Sequence, residues 1–442
     1  MNFLKKIFSP TALTISFLLL IYTFYKSEIH LNGSERNYYF TYYLISLILI
    51  FFSIITFFIS QKIKEYLIIS SISLVVSLYL FEGYLIFKEQ FSKEHFLKEQ
   101  LSKKQLYEKK EGKKWDGRTK FEIYNDLKKK NNEIVVTIPP YLNTGKKYKM
   151  FALSGISNSE TIYCNENGYY SIYQSDRYGF NNPDDEWDEK EIEYLLVGDS
   201  YTHGACINRP SDIGSVLRIL SNKSVLNLGY AGNGPLIEYA SLREYMNTKV
   251  KKVLWIYYEG NDFKNLIDEK NNNILTNYLN DLTFTQNLKL KQNEINSQAV
   301  NYMAEKERET FKFKLLKFIK IYNTRILILT AQAQASAPPA AEFRKILELT
   351  KDLLNKNNSK LYFVYLPEYN RYKIKYDNNN YNLVKKIVTE LNIPFIDIHK
   401  AVFEKEKNPL KFFPFVVIER SGHYNVEGYK KVAETIYKFS KD

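Results

Sequence analysis

The sequence predicts an α/β protein in which three transmembrane helices precede a three-layer α/β/α domain with a parallel sheet. Two patterns carry this reading. Long uncharged apolar runs cover 7–25, 38–60 and 66–87, the last interrupted only by Glu82. Beyond residue 191, short apolar strands alternate with helical stretches, as in sheets covered by helices on both faces.

Each apolar run is about 19 to 23 residues, and roughly 20 helical residues cross a hydrocarbon core. Tyr38, Tyr39, Tyr42 and Tyr43 cluster at one end of the second run, as interfacial aromatics do. The first run lacks a clear small-residue cleavage site and two more follow, so it reads as retained rather than as a cleaved signal. Lys5 and Lys6 precede the first span, and Lys62 and Lys64 lie in the second loop. Placing both pairs in the cytoplasm obeys the positive-inside rule and puts the remainder of the chain outside. Lys88, Lys93, Lys98, Lys103 and Lys104 oppose this, but Glu89, Glu94 and Glu99 intersperse them, and long domains translocate largely regardless of charge.

The chain is therefore expected to divide into a membrane region (1–87), a charged helical stalk (88–130), a small β-rich lead-in (131–190) and an α/β domain (191–442). Strands are predicted at 193–197, 224–228, 250–258, 360–366 and 395–398. Helices are predicted at 211–220, 235–246, 340–355, 381–391 and 426–439, with an irregular helical insertion at 261–336. Trp255, Tyr257 and Tyr258 read as core of the third strand. The net charge of +13 does not signal nucleic acid, because lysine is abundant throughout and no element aligns basic residues into a docking face. Five histidines and two cysteines show no zinc-type spacing, so no metal or other cofactor is expected. Cys164 and Cys206 leave two readings open, a disulfide outside the cytoplasm or two buried thiols.

The chemistry-bearing residues fall at predicted strand ends, where open α/β sheets place their sites. Gly198-Asp199-Ser200 follows the first strand and presents a serine. Asn227-Leu228-Gly229 ends the second, and Glu259-Gly260-Asn261-Asp262 ends the third. Ser421-Gly422-His423-Tyr424-Asn425 precedes the last helix, where a histidine can act as general base. His203 reads as a local hydrogen-bond partner and His399 as structural. Asp199 and Asp262 read as fixing their loops.

This order of Ser, Gly, Asn and His resembles the SGNH hydrolases, also called GDSL-like esterases and lipases, over 191–442. The strings 175–183 (SDRYGFNNP) and 198–204 (GDSYTHG) resemble a membrane-tethered bacterial subgroup of that family. The resemblance implies an SGNH-type fold, with Ser200 as nucleophile and His423 as base. It also implies an oxyanion hole from the Ser200 and Gly229 N–H groups and the Asn261 side chain. The family's aspartate two or three residues before the histidine is missing, since Arg420 and Ser421 stand there. Glu419, Asp397 or a backbone carbonyl then remains to orient the imidazole, or the site binds without turnover. The implied function is hydrolysis or transfer of an acyl ester, such as acetyl, on a surface polysaccharide outside the cytoplasmic membrane. The rivals are a lipid esterase or thioesterase and an inactive glycan-binding envelope protein.

Overall fold

The computed structural model describes every residue except 1, 34–35, 141–149, 247–248, 308–310, 336–337, 375, 377, 415–421 and 442. The chain forms two compact units. One comprises Met1–Leu97, Asn271–Asn273 and Glu305–Ser336, and the other comprises Lys98–Lys270, Ile274–Ala304 and Ala337–Asp442.

The first unit is helical. Helices α1 (Asn2–Phe24), α2 (Arg36–Ile55) and α3 (Gln61–Glu111) contain three membrane-length apolar spans, Phe3–His30, Tyr38–Ile55 and Gln61–Glu89. Their Ile, Leu and Phe side chains are largely exposed, as suits helices that face lipid rather than a protein core. The protein is thus a multi-pass membrane protein. Polar side chains link α1 to the end of α2: Ser9 Oγ donates to the Thr56 carbonyl, and Ser16 and Ser53 share a 3.1 Å hydrogen bond. Two short helices from the predicted insertion, α4 (Phe311–Ile319) and α5 (Tyr322–Ala335), belong to this unit.

The second unit holds two sheets. A small one pairs β1 (Val135–Val136) in parallel with β2 (Glu160–Ile162), which pairs antiparallel with β3 (Ile172–Gln174). The large sheet is wholly parallel. It consists of β4 (Glu191–Gly198), β5 (Val225–Asn227), β6 (Lys249–Tyr258), β7 (Lys360–Leu366) and β8 (Phe395–Asp397), in the order β5-β4-β6-β7-β8. Its strands read as nearly unbroken apolar runs because both faces are buried. On β6, Val253, Trp255 and Tyr257 enter one core, with Leu236 and Ala240 of the 235–245 helix, Ile346 of 340–356 and Val384 of 381–390. Leu254, Ile256 and Tyr258 alternate into the other core, with Leu217 of the 213–221 helix and Val432 and Ile436 of 426–440. The result is the expected three-layer α/β/α sandwich.

Local chemistry starts the flanking helices. Asp212 accepts from Ser215 N–H, and Asn425 accepts from Gly428 N–H, each as an N-cap, while Pro235 occupies a first-turn position. These caps fix where the loops at the strands' carboxyl ends stop, and so where the candidate residues project.

Candidate active site

Ser200 opens a single helical turn, Ser200–His203, directly after β4. Asp199 caps that turn by accepting from Tyr201 N–H. The half-buried Ser200 Oγ lies 2.9 Å from His423 Nε2 and 3.4 Å from Asp199 Oδ2. His423 stands just before the 426–440 helix. Its loop is held by Tyr201 OH, which donates to the Gly422 carbonyl at 3.0 Å, and by Tyr424 OH, which donates to the Pro367 carbonyl at 2.6 Å.

The acceptor for the imidazole is Glu166, which the sequence reading did not single out. Glu166 Oε1 lies 3.0 Å from His423 Nδ1, and Oε2 accepts from the His423 backbone N–H at 2.7 Å. Both carboxylate oxygens thus engage one residue, 257 positions away. Asp397 is committed elsewhere: it caps the next helical turn through Lys400 N–H and accepts from Tyr381 OH. Glu419 lies outside the described residues.

Glu166 is held by its neighbours in the β2–β3 turn. Cys164 is disulfide-bonded to Cys206, six residues beyond Ser200, with Cα atoms 4.8 Å apart. Asn167 Nδ2 donates to the Cys206 carbonyl at 3.0 Å, and Tyr107 OH donates to the Asn167 carbonyl at 3.0 Å. The bond closes a loop of 42 residues in sequence separation, a constraint worth about 4 kcal/mol in the chain-entropy description. Glu166, Cys206 and His423 bring potential ligand atoms within 4.8 Å of one another. The Cys206 sulfur is consumed by the disulfide, however, and thiolate is the metal-binding form.

The expected oxyanion donors fare differently. The Gly229 N–H is already engaged, donating to Asn227 Oδ1 at 2.8 Å. Glycine is needed there because a Cβ would come within 2.4 Å of Thr202 Cβ and 2.8 Å of His203 N. Its place is therefore a packing contact beneath the serine turn, which corrects its predicted role as a free donor. The same loop continues to Gly232, at φ 81°. The loop is tied to the serine strand by Tyr230 N–H, which donates to the Gly198 carbonyl at 3.2 Å. Among the described residues, neither the Ser200 nor the Gly232 N–H donates to a protein acceptor. Asn261 follows β6, with its amide beside Asp199 and its Oδ1 buried without a partner among the described residues.

The electrostatics favour charge at the imidazole and not at Glu238 or Asp262 beneath it. Burial opposes protonation of His423, but Glu166, by charge and hydrogen bond, and Asp199 more than offset this and raise its pKa above the ordinary value. Burial raises Asp199 to about 6 and carries Glu238 and Asp262 well above the carboxylate range, with mutual repulsion adding to the effect. Glu238 and Asp262, held neutral, add no charge against a developing oxyanion, whereas Asp199 stays largely ionised at neutral pH and supports the imidazolium. His203 is fully buried, accepts from Ala231 N–H at Nδ1, and is held neutral by burial, which lowers its pKa to about 3. His399 pairs with Tyr372 OH at 2.7 Å, away from Ser200.

The 175–183 string forms the brace behind the site. Asp176 is buried and accepts from Tyr178 and Phe180 N–H, Asn182 Nδ2 and Trp187 Nε1. Asn181 Nδ2 donates to the His203 carbonyl, and Asn182 bonds both N–H and C=O of Asn227. Two sidechain amides thereby tie the serine turn to the end of β5.

No protein-family model and no curated protein matches the chain. Solved structures similar to it include one described as a lipolytic protein of the G-D-S-L family from Desulfitobacterium hafniense. It is 15% identical, covers 57% of this chain and 99% of its own, and has a TM-score of 0.30. The acetyl xylan esterase AlAXEase is 14% identical over 56% of this chain and 98% of its own, with a TM-score of 0.33. A GDSL-like lipase from Bacteroides thetaiotaomicron is 12% identical over 57% and 89%, with a TM-score of 0.31. Likeness at these TM-scores carries no functional weight, which the geometry around Ser200 bears alone.

Proposed function

We propose that this protein is a membrane-anchored serine esterase or acyltransferase of SGNH type. The observation that carries the reading is the line of contacts from Ser200 Oγ to His423 Nε2 at 2.9 Å and from His423 Nδ1 to Glu166 at 3.0 Å. With Glu166 accepting at Nδ1, the Nε2 lone pair faces the serine hydroxyl, as general-base activation requires.

In the proposed reaction, Ser200 Oγ attacks the acyl carbonyl carbon while its proton passes to His423 Nε2. The tetrahedral oxyanion is met by the Ser200 N–H, the Asn261 amide and the Gly232 N–H, the last replacing the engaged Gly229. Collapse breaks the ester bond, and the leaving alkoxide takes the proton from Nε2. Water or an acceptor hydroxyl then attacks the acyl-serine with His423 again as base. Each oxyanion donor in such a site is worth roughly 3 kcal/mol.

The substrate class we propose is a small acyl ester, such as acetyl, on an envelope polysaccharide that a membrane-tethered site would meet. We place the α/β unit outside the cytoplasmic membrane. The positive-inside pattern supports this, and so does the Cys164–Cys206 bond, since disulfides persist in oxidising compartments. Fluorophosphonate labelling of membranes containing the full-length protein tests the mechanism. Wild type should be labelled and Ser200→Ala should not. Failure of the wild type to react beside a reactive control esterase would remove the catalytic reading and leave a binding protein.

A further inference from the structure

Glu82 lies within the third span and is fully buried. A carboxylate at such a position is costly unless it is satisfied. Its partners come from the far end of the sequence. Glu82 Oε1 accepts from Asn323 N–H at 2.9 Å, and Oε2 accepts from both the N–H and the hydroxyl of Thr324 at 2.8 Å. These are first-turn donors of α5, left unsatisfied by the helix itself, and a negative charge there also meets the positive end of the helix dipole.

Two further contacts hold the same short segment. Arg325 donates to Tyr38 OH at 2.9 Å and Tyr42 OH at 3.0 Å, with its guanidinium 5.6 Å from the Tyr42 ring centroid. Tyr79 OH donates to the Ile319 carbonyl at 2.8 Å, and the Tyr79 and Phe318 rings lie 5.4 Å apart. Tyr38 and Tyr42 begin the second span, whereas Tyr79 and Glu82 approach the end of the third. Successive spans run in opposite directions, so these four anchors lie in the same half of the bilayer, Tyr79 nearest its middle. With its polar side anchored, the segment leaves Leu315, Leu316, Ile319, Ile326, Leu327 and Ile328 exposed, each by 41% or more.

We propose that α4 and α5 form a re-entrant hairpin whose exposed apolar face contacts bilayer acyl chains. With 9 and 14 residues, the helices reach only about 14 and 21 Å, too short for a core of roughly 30 Å. They therefore enter and return on one side. Lipid is the occupant because the face belongs to the same compact unit as the spans, whose apolar side chains are likewise exposed. Nonhelical backbone at the turn is tolerated at such depth only when protein partners satisfy it, and the Glu82 and Tyr79 contacts do this.

The test uses full-length protein in phosphatidylcholine vesicles. Both native cysteines are in the disulfide, so Ile326→Cys carries the one reactive thiol, with Leu327→Cys as a second site and exposed Lys430→Cys as control. A bimane label at 326 should be quenched by acyl-chain nitroxide lipids several-fold more than at 430. Its thiol should also resist membrane-impermeant maleimide until detergent is added. Equal quenching at 326, 327 and 430 overturns the proposal. Shielding from maleimide without lipid quenching also overturns it, because a protein surface would then cover the face.

Discussion

The two compact units use apolar side chains in opposite ways. In the membrane unit, Ile45, Phe51, Leu74 and Leu80 are exposed and the buried groups include Ser16, Ser53 and Glu82. In the α/β unit, Trp255, Tyr257 and Val364 are sealed between layers, and buried polar groups such as Asp176, Asn182 and Asn227 are joined by hydrogen bonds. Solvent reverses the rule of burial: lipid accepts the apolar surface, so specificity in the membrane unit falls to a few hydrogen bonds, whereas the sheet is specified by its packing. Each unit nevertheless turns on one glutamate reaching far along the chain. Glu82 binds residues 241 and 242 positions away, and Glu166 one that is 257 away.

The comparison can be broken first at Glu166. Glu166→Gln should lower kcat on a small acyl ester such as p-nitrophenyl acetate by about 10² to 10⁴-fold with little change in KM. Asp397→Asn should stay within about twofold of wild type, because its carboxylate serves Lys400 and Tyr381. Equal losses in the two variants would contradict the assignment of Glu166. Asn261→Ala comes next, with an expected fall of about 10² in kcat as one oxyanion donor disappears. A larger fall in KM-limited binding than in kcat would move Asn261 from transition-state to ground-state contact.

The pH profile sharpens the same point more gently. Since His423 must be neutral to act as base and its pKa is raised, kcat/KM should climb with a midpoint above the ordinary histidine value of about 6.5. Glu166→Gln should shift that midpoint downward. Stability follows with the opposite sense. The protonated His423–Glu166 pair contributes fully below the unfolded-state histidine pKa, and its contribution is lost as pH rises through the higher folded value. Denaturant unfolding of wild type and Glu166→Gln across that window should show the difference shrinking as pH rises. Catalysis should also change little at Glu82. Glu82→Ala leaves three donors unpaired at about 1 to 3 kcal/mol each. It should lower the detergent-phase melting temperature and expose α5 to proteolysis, while kcat changes by less than about threefold.

Much of the α/β unit was legible because its signals are local. Strand runs such as 360–366 and helical stretches such as 340–355 are written in adjacent residues. Ser200 and His423 were legible because each sits at the end of such an element. Glu166 was hidden because Asn165-Glu166-Asn167-Gly168 has the composition of an ordinary turn, and nothing local marks its carboxylate. The clue lay in Cys164: pairing it with Cys206 brings residue 166 to the Ser200 loop. Gly229 misled for a related reason, since a glycine needed for close packing and one that frees an N–H look alike in sequence. The 305–336 segment was likewise opaque, because its ties to Tyr38, Tyr42, Tyr79 and Glu82 span more than two hundred residues.

The order of synthesis adds a safeguard to this arrangement. Cys164 and Glu166 leave the ribosome first, Ser200 and Cys206 follow, and His423 comes 217 residues after Cys206. A partly made chain therefore carries a serine with no base. A finished chain held under reducing conditions lacks the covalent tie beside its acid. Activity as proposed would then be full only once His423 has been made and the Cys164–Cys206 bond has formed, which limits the exposure of the cell's own esters to a half-assembled site.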